Sequence, residues 1–269
     1  MSGFTFTLRE TPPCRLDASA LTPSRLAGMS VTEIARLSLS QGQHPVCVAD
    51  VFDVAGEAGE RLRFVGDLRR VDFIAVALDG GSVAVDGAVG AYCGAAARAG
   101  EINVAGDTGP FAGAAMRGGR LTIVGGAGDF LGGARQGEVA GMRGGLIHAH
   151  GAVGTQAGHR MRRGTIVIEG DTGAYPGAEM IAGTIVVFGR AGVEPGLMMR
   201  RGSLVLAGEC EPGLTFADTG RHDFVWLRLL KRELLARSIS RAARISCTAR
   251  RFSGDLASLG KGEILTLAS

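Results

Sequence analysis

The sequence predicts an all-β solenoid, in which short strands alternate with glycine-rich arcs and successive turns stack on one another. Three observations indicate this class: a motif of glycines and one methionine that recurs along the chain, a nearly constant spacing of 19 residues, and a short alternating strand between consecutive motifs. Neither the strand nor the arc can bury its apolar face alone, so each turn must pack against its neighbours.

The motif GxxGxxxGxxMxxG is present in four complete copies, which begin at Gly106, Gly151, Gly170 and Gly189. A fifth copy carries Ala97 in place of the methionine, and a sixth contains seven extra residues before its methionine. The repeat is 19 residues long in every copy except the enlarged one, which has 26. Glycine allows a tight turn with no Cβ to clash, and methionine fills irregular space, so we interpret the motif as architectural rather than as a phosphate or metal site.

Between the motifs lie seven five-residue runs with apolar side chains at their second and fourth positions, the pattern of a half-buried strand. The runs are SVAVD, EINVA, RLTIV, LIHAH, TIVIE, TIVVF and SLVLA. Stacking would place one residue of each run in a single interior column, made of Val85, Val104, Ile123, Ala149, Ile168, Val187 and Leu206. The five repeat methionines are expected to form a second buried column.

The repeats divide the chain into an N-terminal capping region (1–60), a glycine-rich repeat domain (61–213) and a C-terminal helix and tail (214–269). In the first flank, FTFTL and VCVADVFDV predict strands. Ser30 and Glu33 match a capping box ahead of a short helix in the same flank. We expect this region to cover the open first turn of the repeats.

The last flank contains HDFVWLRLLKRELLARSI, which predicts an amphipathic helix. Its apolar face is formed by Phe224, Leu227, Leu230 and Leu234, and its opposite face is basic. Because the last turn of a repeat protein must hide its interior and its strand edge, we expect this helix to cover that end. Binding of a partner is the alternative role.

Composition and charge limit the functions and the cellular location that we expect for the protein. The chain has 269 residues and a net charge of +3, which is modest, and the arginines that recur at one position of the repeat are not interleaved with aromatics, so nucleic-acid binding is disfavoured. Five cysteines without a CxxC pair disfavour zinc sites and iron–sulfur clusters and indicate reduced thiols. The start MSGFTFTLRETPPC does not resemble a signal peptide, and no run is long enough to span a bilayer, so a cytoplasmic protein is expected.

Three of the five histidines are possible metal ligands by their placement. His148 and His150 alternate on one strand and are expected on its outward face, with His159 in the next arc. A γ-type carbonic anhydrase or a hexapeptide acyltransferase would use histidines on a repeat scaffold in this way. Those proteins run on six-residue units, into which 19 residues do not divide, so no metal site is predicted.

One further column is basic, and we call it the arginine strip. In five of six repeats the residue after the methionine position is arginine, and Ile181 is the exception. The strip comprises Arg98, Arg117, Arg143, Arg162 and Arg200, with Arg163 and Arg201 at the neighbouring position. Stacked strands lie about 4.8 Å apart, so these like charges repel one another. The strip is either a solvated face that aids solubility or a docking site for an anionic partner or ligand.

The chain also resembles a known family, through GDLRRVDFIAVALDGG (66–81), the repeats up to GRAGVEPGLMMRRG (189–202) and the tail PGLTFADTGRHDFVWLRLL. The family comprises the C subunits of formylmethanofuran dehydrogenase and of its bacterial counterpart, the formyltransferase/hydrolase complex. It shares this glycine-rich domain with the C-terminal domain of the large subunit of glutamate synthase. The resemblance covers residues 60–215 and implies a right-handed parallel β-helix, here of seven 19-residue coils that end near Glu211.

The resemblance also implies a function in one-carbon metabolism, during formaldehyde oxidation. In the bacterial complex, a formyl group passes from formyltetrahydromethanopterin to methanofuran on one subunit, and formylmethanofuran is then hydrolysed to formate on a metal-dependent amidohydrolase subunit. The chain would be a non-catalytic structural subunit in contact with the formyltransferase subunit, the amidohydrolase subunit and a dehydrogenase-like B subunit. Methanofuran as the carrier and a metal on a partner subunit are implied in the same way.

Two alternatives remain open at this point. The chain would equally suit the C subunit of a tungsten or molybdenum formylmethanofuran dehydrogenase, since the same scaffold serves both complexes. It would otherwise be a stand-alone β-helix transferase or lyase. The sequence offers no nucleophile beside a base, no recurring carboxylate pair and no metal-ligand spacing, so no catalytic, cofactor-binding or metal-binding residue is predicted and the role of a complex subunit is favoured. The arginine strip, as a site for the methanofuran tail or an acidic partner, is the single candidate site.

Overall fold

The computed structural model describes residues 2–208 and 210–267, which form two β-sheets, four α-helices and one 3₁₀ helix. The strands are β1 (Gly3–Leu8), β2 (Leu16–Asp17), β3 (Ser38–Gln41), β4 (His44–Cys47), β5 (Phe52–Gly56), β6 (Arg61–Val65), β7 (Val71–Asp72), β8 (Ser82–Val85), β9 (Glu101–Val104), β10 (Arg120–Ile123), β11 (Arg143–Ala149), β12 (Arg163–Ile168), β13 (Thr184–Val187), β14 (Arg201–Leu206), β15 (Ala217–Asp223), β16 (Thr248–Gly254) and β17 (Lys261–Leu267). The helices are α1 (Pro23–Leu26), α2 (Val31–Ala35), α3 (Val48–Val51), α4 (Val225–Ala236) and the 3₁₀ helix Ser240–Arg244. None of the helices in this part of the chain combines the length and the apolar character needed to cross a bilayer.

The predicted all-β solenoid, a right-handed parallel β-helix of seven coils, is wrong as a description of this fold. The strands form a 13-stranded mixed sheet in the order β15-β16-β17-β14-β13-β12-β11-β10-β9-β8-β6-β1-β5, accompanied by a four-stranded sheet in the order β4-β3-β2-β7. Antiparallel pairs lie at both ends of the large sheet, β1 with β5 at one end and β15 with β16 and β16 with β17 at the other. The flanks fold back there and pair with the end strands, which the period of the repeat does not encode.

In the centre of the large sheet, the repeat strands pair in parallel and in register. Ile166 lies opposite Ile185, for example, and Ile185 lies opposite Leu204, so each strand is displaced from the next by one repeat. A second row of single parallel bridges joins the arcs, from Leu68 and Val89 at one end to Val153 and Thr172 at the other. The residues assigned to the interior column are all buried: Val85, Val104, Ile123, Ala149, Ile168, Val187 and Leu206.

The glycines and methionines of the motif occupy positions where neighbouring repeats approach closely. A Cβ on Gly189 would lie 2.4 Å from the carbonyl of Gly170, far inside van der Waals contact. Gly202 has a φ of +101°, which L side chains rarely adopt, and a Cβ there would lie 2.7 Å from the methyl group of Met180. All five repeat methionines, Met116, Met142, Met161, Met180 and Met199, are fully buried. The motif therefore has a packing role at these positions.

The first flank joins the same sheet, because β1 lies between β5 and β6. The capping box is confirmed: the backbone N–H of Glu33 donates to Ser30 Oγ at 3.3 Å, and the backbone N–H of Ser30 donates to Glu33 Oε2 at 2.8 Å. The strand predicted for VCVADVFDV is interrupted by α3. Asp50 accepts a hydrogen bond from the backbone N–H of Cys47 at 2.9 Å, which caps a helical turn between β4 and β5.

The C-terminal helix is present as α4, but it does not cover the end of the repeats. Its buried leucines, among them Leu227 and Leu234, pack with Val167, Val186 and Val205 on the outer face of the repeat strands. Strand β17 instead pairs with β14, the last repeat strand. The sequence contained a signal for this arrangement, since TIVIE, TIVVF and SLVLA carry apolar residues on both faces of the strand.

Candidate functional site

The arginine strip lies at the point where each glycine-rich arc leads into a repeat strand. The backbone N–H of Arg117 donates to the carbonyl of Ala97 at 2.7 Å, and that of Arg162 donates to the carbonyl of Met142 at 2.8 Å. Each arginine is thus held beside the residue that precedes the equivalent arginine of the previous repeat. The fold brings the members of the strip into one row, interrupted only at Ile181, because the backbone position of each is fixed by the pairing of adjacent repeats.

All members of the strip are exposed except Arg143, which is half-buried. Within residues 2–208 and 210–267, none of the seven guanidinium groups forms an ion pair. The buried Nε of Arg143 has no hydrogen-bond partner in this part of the chain. Neighbouring like charges without counterions raise the local positive potential, which attracts an anionic partner or ligand.

The basic surface formed by the strip is larger than the sequence indicated. Arg143 and Arg163 are paired directly across β11 and β12, and Arg201 is paired with Lys261 across β14 and β17. Lys261 is exposed and lies outside the repeats, so the 19-residue period could not reveal it. The pairing of β17 with β14 therefore extends the basic surface by one strand.

A ladder of four stacked aromatic rings was missed in the sequence. Phe73, Tyr92, Phe111 and Phe130 stack with ring centroids 4.8–5.0 Å apart and interplanar angles of 3–9°. Each has a positive φ between 59° and 63°, which costs on the order of 1 kcal/mol or more for a non-glycine residue. Stacking of each pair contributes about 0.5–1.5 kcal/mol and offsets part of that strain. Their spacing of 19 residues is the signal that would have identified them.

The histidines are arranged differently from the prediction. His148 was expected on an exposed face, but its side chain is only 2 % exposed, since the C-terminal segment covers this side of the sheet. Its Nε2 lies 2.9 Å from Glu169 Oε1, while Nδ1 of His150 lies 3.6 Å and Nε of Arg241 lies 3.4 Å from Glu169 Oε2. Glu169, which the sequence did not single out, therefore joins two repeat strands to the 3₁₀ helix.

This histidine and glutamate cluster has the composition of a cation site, since ligand atoms of His148, His150 and Glu169 lie within 4.8 Å of one another. Its hydrogen bonding opposes that role. Nε2 of His148 and both carboxylate oxygens of Glu169 already contact one another or Arg241, so a metal would have to displace these contacts. The guanidinium of Arg241 adds a further positive charge. The absence of a metal site stays a prediction, and we interpret the cluster as a network in which Glu169 accepts a hydrogen bond from His148 and forms an ion pair with Arg241.

Burial lowers the pKa of His148 below its ordinary value of 6.5, although the hydrogen bond to Glu169 acts in the opposite direction. His159 is not part of the cluster. Its Nε2 lies 3.5 Å from Glu179, its ring packs edge-on against Phe130, and burial likewise lowers its pKa. Both imidazoles are thus held in the neutral form, which suits a packing role near neutral pH.

Comparison with known proteins identifies similar chains in a solved structure and among curated sequences. A chain of the formyltransferase/hydrolase complex (FhcABCD) from Methylorubrum extorquens, solved in complex with methylofuran, is 41% identical with a TM-score of 0.95, covering 98% of this chain and 100% of that chain. The C subunit of the formyltransferase/hydrolase complex Fhc of Methylorubrum extorquens is 40% identical over 86 residues, which are 32% of this chain and 32% of that protein. The chain belongs to the family of C subunits of such complexes.

The C subunit of molybdenum-containing formylmethanofuran dehydrogenase 1 of Methanosarcina barkeri is 35% identical over 81 residues, 28% of this chain and 27% of that protein. The chain thus matches these curated members of the family over about a third of their length or less. No family model matches the chain. The likeness to the solved structure extends beyond residues 60–215, on which the sequence resemblance rested, into both flanks.

Proposed function

We propose that the chain is a non-catalytic structural subunit of a formyltransferase/hydrolase complex that transfers a formyl group to a methanofuran-type carrier and hydrolyses the product to formate. The proposal is carried by the likeness to a chain of such a complex over 98% of this chain, at 41% identity. The partners would be a formyltransferase subunit, a metal-dependent amidohydrolase subunit and a dehydrogenase-like B subunit. The complex would operate in the cytoplasm, and the carrier and the metal would be bound chiefly by the partners.

The alternative assignment is the C subunit of a tungsten or molybdenum formylmethanofuran dehydrogenase. The identity to the molybdenum relative is lower, at 35% over 81 residues, which favours the hydrolase complex. The two assignments differ in chemistry, because a dehydrogenase exchanges electrons with an acceptor and a hydrolase does not. A stand-alone transferase is less supported still, since the 41% identity over 98% of this chain is to a chain of a multi-subunit complex.

Assembly and turnover together test the proposal. The tagged chain would be co-expressed with the three candidate partner subunits encoded by the same organism, and the purified complex would be assayed for formate release with and without an electron acceptor. We expect a stable complex that releases formate without an acceptor, whereas the isolated chain neither transfers nor hydrolyses formyl groups. Turnover by the isolated, metal-stripped chain, or failure of the wild-type chain to assemble with any of its partners, would overturn the proposal.

We also propose that the arginine strip holds an anionic group, either the acidic tail of the carrier or an acidic surface of a partner subunit. Replacing Arg117, Arg143 and Arg162 with serine separates the two. If the tail binds there, the Michaelis constant for the carrier rises and its dependence on salt weakens, while assembly is unchanged. If a partner protein binds there, the variant no longer co-purifies with it. Assembly, affinity and salt dependence that all match the parent would show that the strip is only a solvated face.

A further inference from the structure

The arginine strip is interrupted at one place, and a pocket lies there. Ile181 has the same backbone arrangement as the arginines, since its N–H donates to the carbonyl of Met161 at 2.8 Å, but its side chain is apolar. It lies on the repeat between those that carry Arg162 and Arg200. A pocket of about 520 Å³ opens beside it, with apolar walls formed by Ile181, Val139 and Met198.

Two segments outside the regular repeat complete the walls of this pocket. Val139 belongs to the seven extra residues of the enlarged repeat, which are fastened where the N–H of Ala134 donates to the carbonyl of His159 and that of Gly141 to the carbonyl of Arg160. The second segment is the connection between β16 and β17. It is fastened by Asp255, which accepts a hydrogen bond from the backbone N–H of Met198 at 2.8 Å. The pocket is therefore preformed and held by hydrogen bonds.

Exposed apolar side chains concentrate around the pocket. Val139 is 79% exposed, and Ser258 on the pocket wall is flanked in sequence by the exposed Leu256 and Leu259. Of the eleven large hydrophobic side chains that are exposed among the described residues, five belong to the segments that build the pocket: Val139, Leu197, Met198, Leu256 and Leu259. Such a concentration is typical of a surface that is covered by another molecule.

The charges around the pocket define what would cover it. Arg200 lines the pocket and forms no ion pair within the described parts of the chain, whereas Arg160 is engaged by Glu179 at 2.9 Å. Glu179 is also 3.5 Å from Nε2 of His159, so its charge is compensated locally. The unopposed charge is thus positive. An apolar centre with an arginine at its rim is the composition of a protein–protein contact.

We propose that this pocket is a docking site for a partner subunit, which inserts an apolar side chain between Val139, Ile181 and Met198 and places a carboxylate against Arg200. The inference rests on the proposed function, because it assigns one contact of that complex. A second copy of this chain is a poor occupant, since a two-fold contact would bring the same arginine strip against itself. An acidic partner segment instead complements the charge.

The test uses Ile181→Arg, which restores the arginine that the other repeats carry, and Val139→Ser, which removes an exposed side chain outside the core. The matched control is Val124→Arg, which places the same charge on an exposed valine at the opposite end of a repeat strand. Native mass spectrometry and titration of the chain into the remaining purified subunits would measure assembly. We expect the dissociation constant to rise at least ten-fold for Ile181→Arg and several-fold for Val139→Ser, and to stay within two-fold for the control.

Three other outcomes would contradict the inference, and the measurements distinguish them from one another. If the wild-type chain assembles and both pocket variants assemble with unchanged affinity, this docking site is wrong while the proposed function stands. If the isolated chain dimerises and Ile181→Arg abolishes the dimer, the occupant is a second copy. If assembly is unchanged and only the Michaelis constant for the carrier rises, the pocket binds a small molecule. Melting temperatures of the variants, measured on the isolated chain, establish that each remains folded.

Discussion

Met161 and Gly183 belong to successive repeats and are complementary in shape. A Cβ built on Gly183 would lie 2.9 Å from the methyl group of Met161, and the same relation links Met142 with Gly164 at 2.8 Å. The methionine of one repeat therefore occupies the space that the glycine of the next repeat leaves open. This explains why the two residue types recur together, since neither would pack well without the other.

Replacement of Gly183 with alanine tests this relationship. The added methyl group meets Met161, and the φ of +114° is unfavourable for any residue with a Cβ, so we expect a loss of about 1–3 kcal/mol in the free energy of unfolding. Urea denaturation followed by circular dichroism measures it. Gly80→Ala is the matched control, because nothing lies within 4 Å of its added Cβ. In a Met161→Ala background the cost of Gly183→Ala should be smaller than in the wild type, and equal costs in the two backgrounds would refute the packing relation.

The fold could be predicted from the sequence where a residue pattern recurs and at local motifs such as the Ser30–Glu33 capping box. The strand runs and the buried methionine column follow from the 19-residue period, and the leucine face of α4 follows from the helical period. A pattern that recurs in the same local environment can be recognised in the sequence. The antiparallel ends of the sheet do not follow from such a pattern, because β15, β16 and β17 occur once each and their pairing depends on contacts distant in sequence. A strand pattern also leaves parallel and antiparallel neighbours undecided, so the expectation of a parallel β-helix rested on the family resemblance and did not account for the antiparallel flanks.

The contact between α4 and the outer face of the sheet should contribute substantially to stability. Leu227 is fully buried against that face, so Leu227→Ala is expected to lower the free energy of unfolding by about 2–5 kcal/mol. Leu229 lies on the exposed side of the same helix, and its replacement with alanine should change stability by no more than about 0.5 kcal/mol. Chemical denaturation compares the two variants. Similar losses for both would mean that α4 does not depend on this contact.

Stability should fall in mild acid because of His148. Burial holds the pKa of the folded-state imidazole below 6.5, so as the pH falls below that value the unfolded chain takes up a proton that the folded chain resists. The free energy of unfolding therefore decreases between the unfolded and the folded pKa and is independent of this group at higher pH. Melting temperatures between pH 5 and pH 8 would record a smaller decrease for His148→Gln than for the wild type.

The groups around His148 do not change the sign of this effect. Glu169 favours the protonated imidazole, whereas His150 and Arg120 oppose it, and burial is the largest influence. His159 has a pKa lowered by burial as well, so part of the acid sensitivity should persist in His148→Gln. Replacement of the exposed His44 with glutamine is the control. Identical pH profiles for the wild type and His148→Gln would contradict the assignment.

The five thiols should differ in reactivity according to burial. Burial raises the pKa of Cys93 to about 12, so it is neither accessible nor ionised, whereas Cys14 and Cys47 are exposed. Titration with a thiol-specific disulfide reagent should modify Cys14 and Cys47 first and Cys93 only after denaturant is added. Cys47→Ser should lower the rapid count by one and Cys93→Ala should leave it unchanged. Modification of Cys93 in the native protein would be inconsistent with its position in the core.

Part of the candidate site could be predicted from the sequence, because its residues recur at a fixed position of the repeat. The arginine strip follows from a single offset within the repeat, and the aromatic ladder would have followed from another. The pocket at Ile181 depends on Val139 and Ser258, which come from an insertion and from a connection outside the repeats. No period relates these residues, so their approach is visible only once the chain has folded.

From β6 to β17 the large sheet runs through nine consecutive parallel strands. The eight intervals between them, at about 4.8 Å each, separate the two ends by about 38 Å. Because the complete copies of the motif make equivalent backbone contacts with their neighbours, we expect gain or loss of one 19-residue copy to move the ends by one interval. The length of the parallel stack is thus set by the number of copies of the repeat in the sequence.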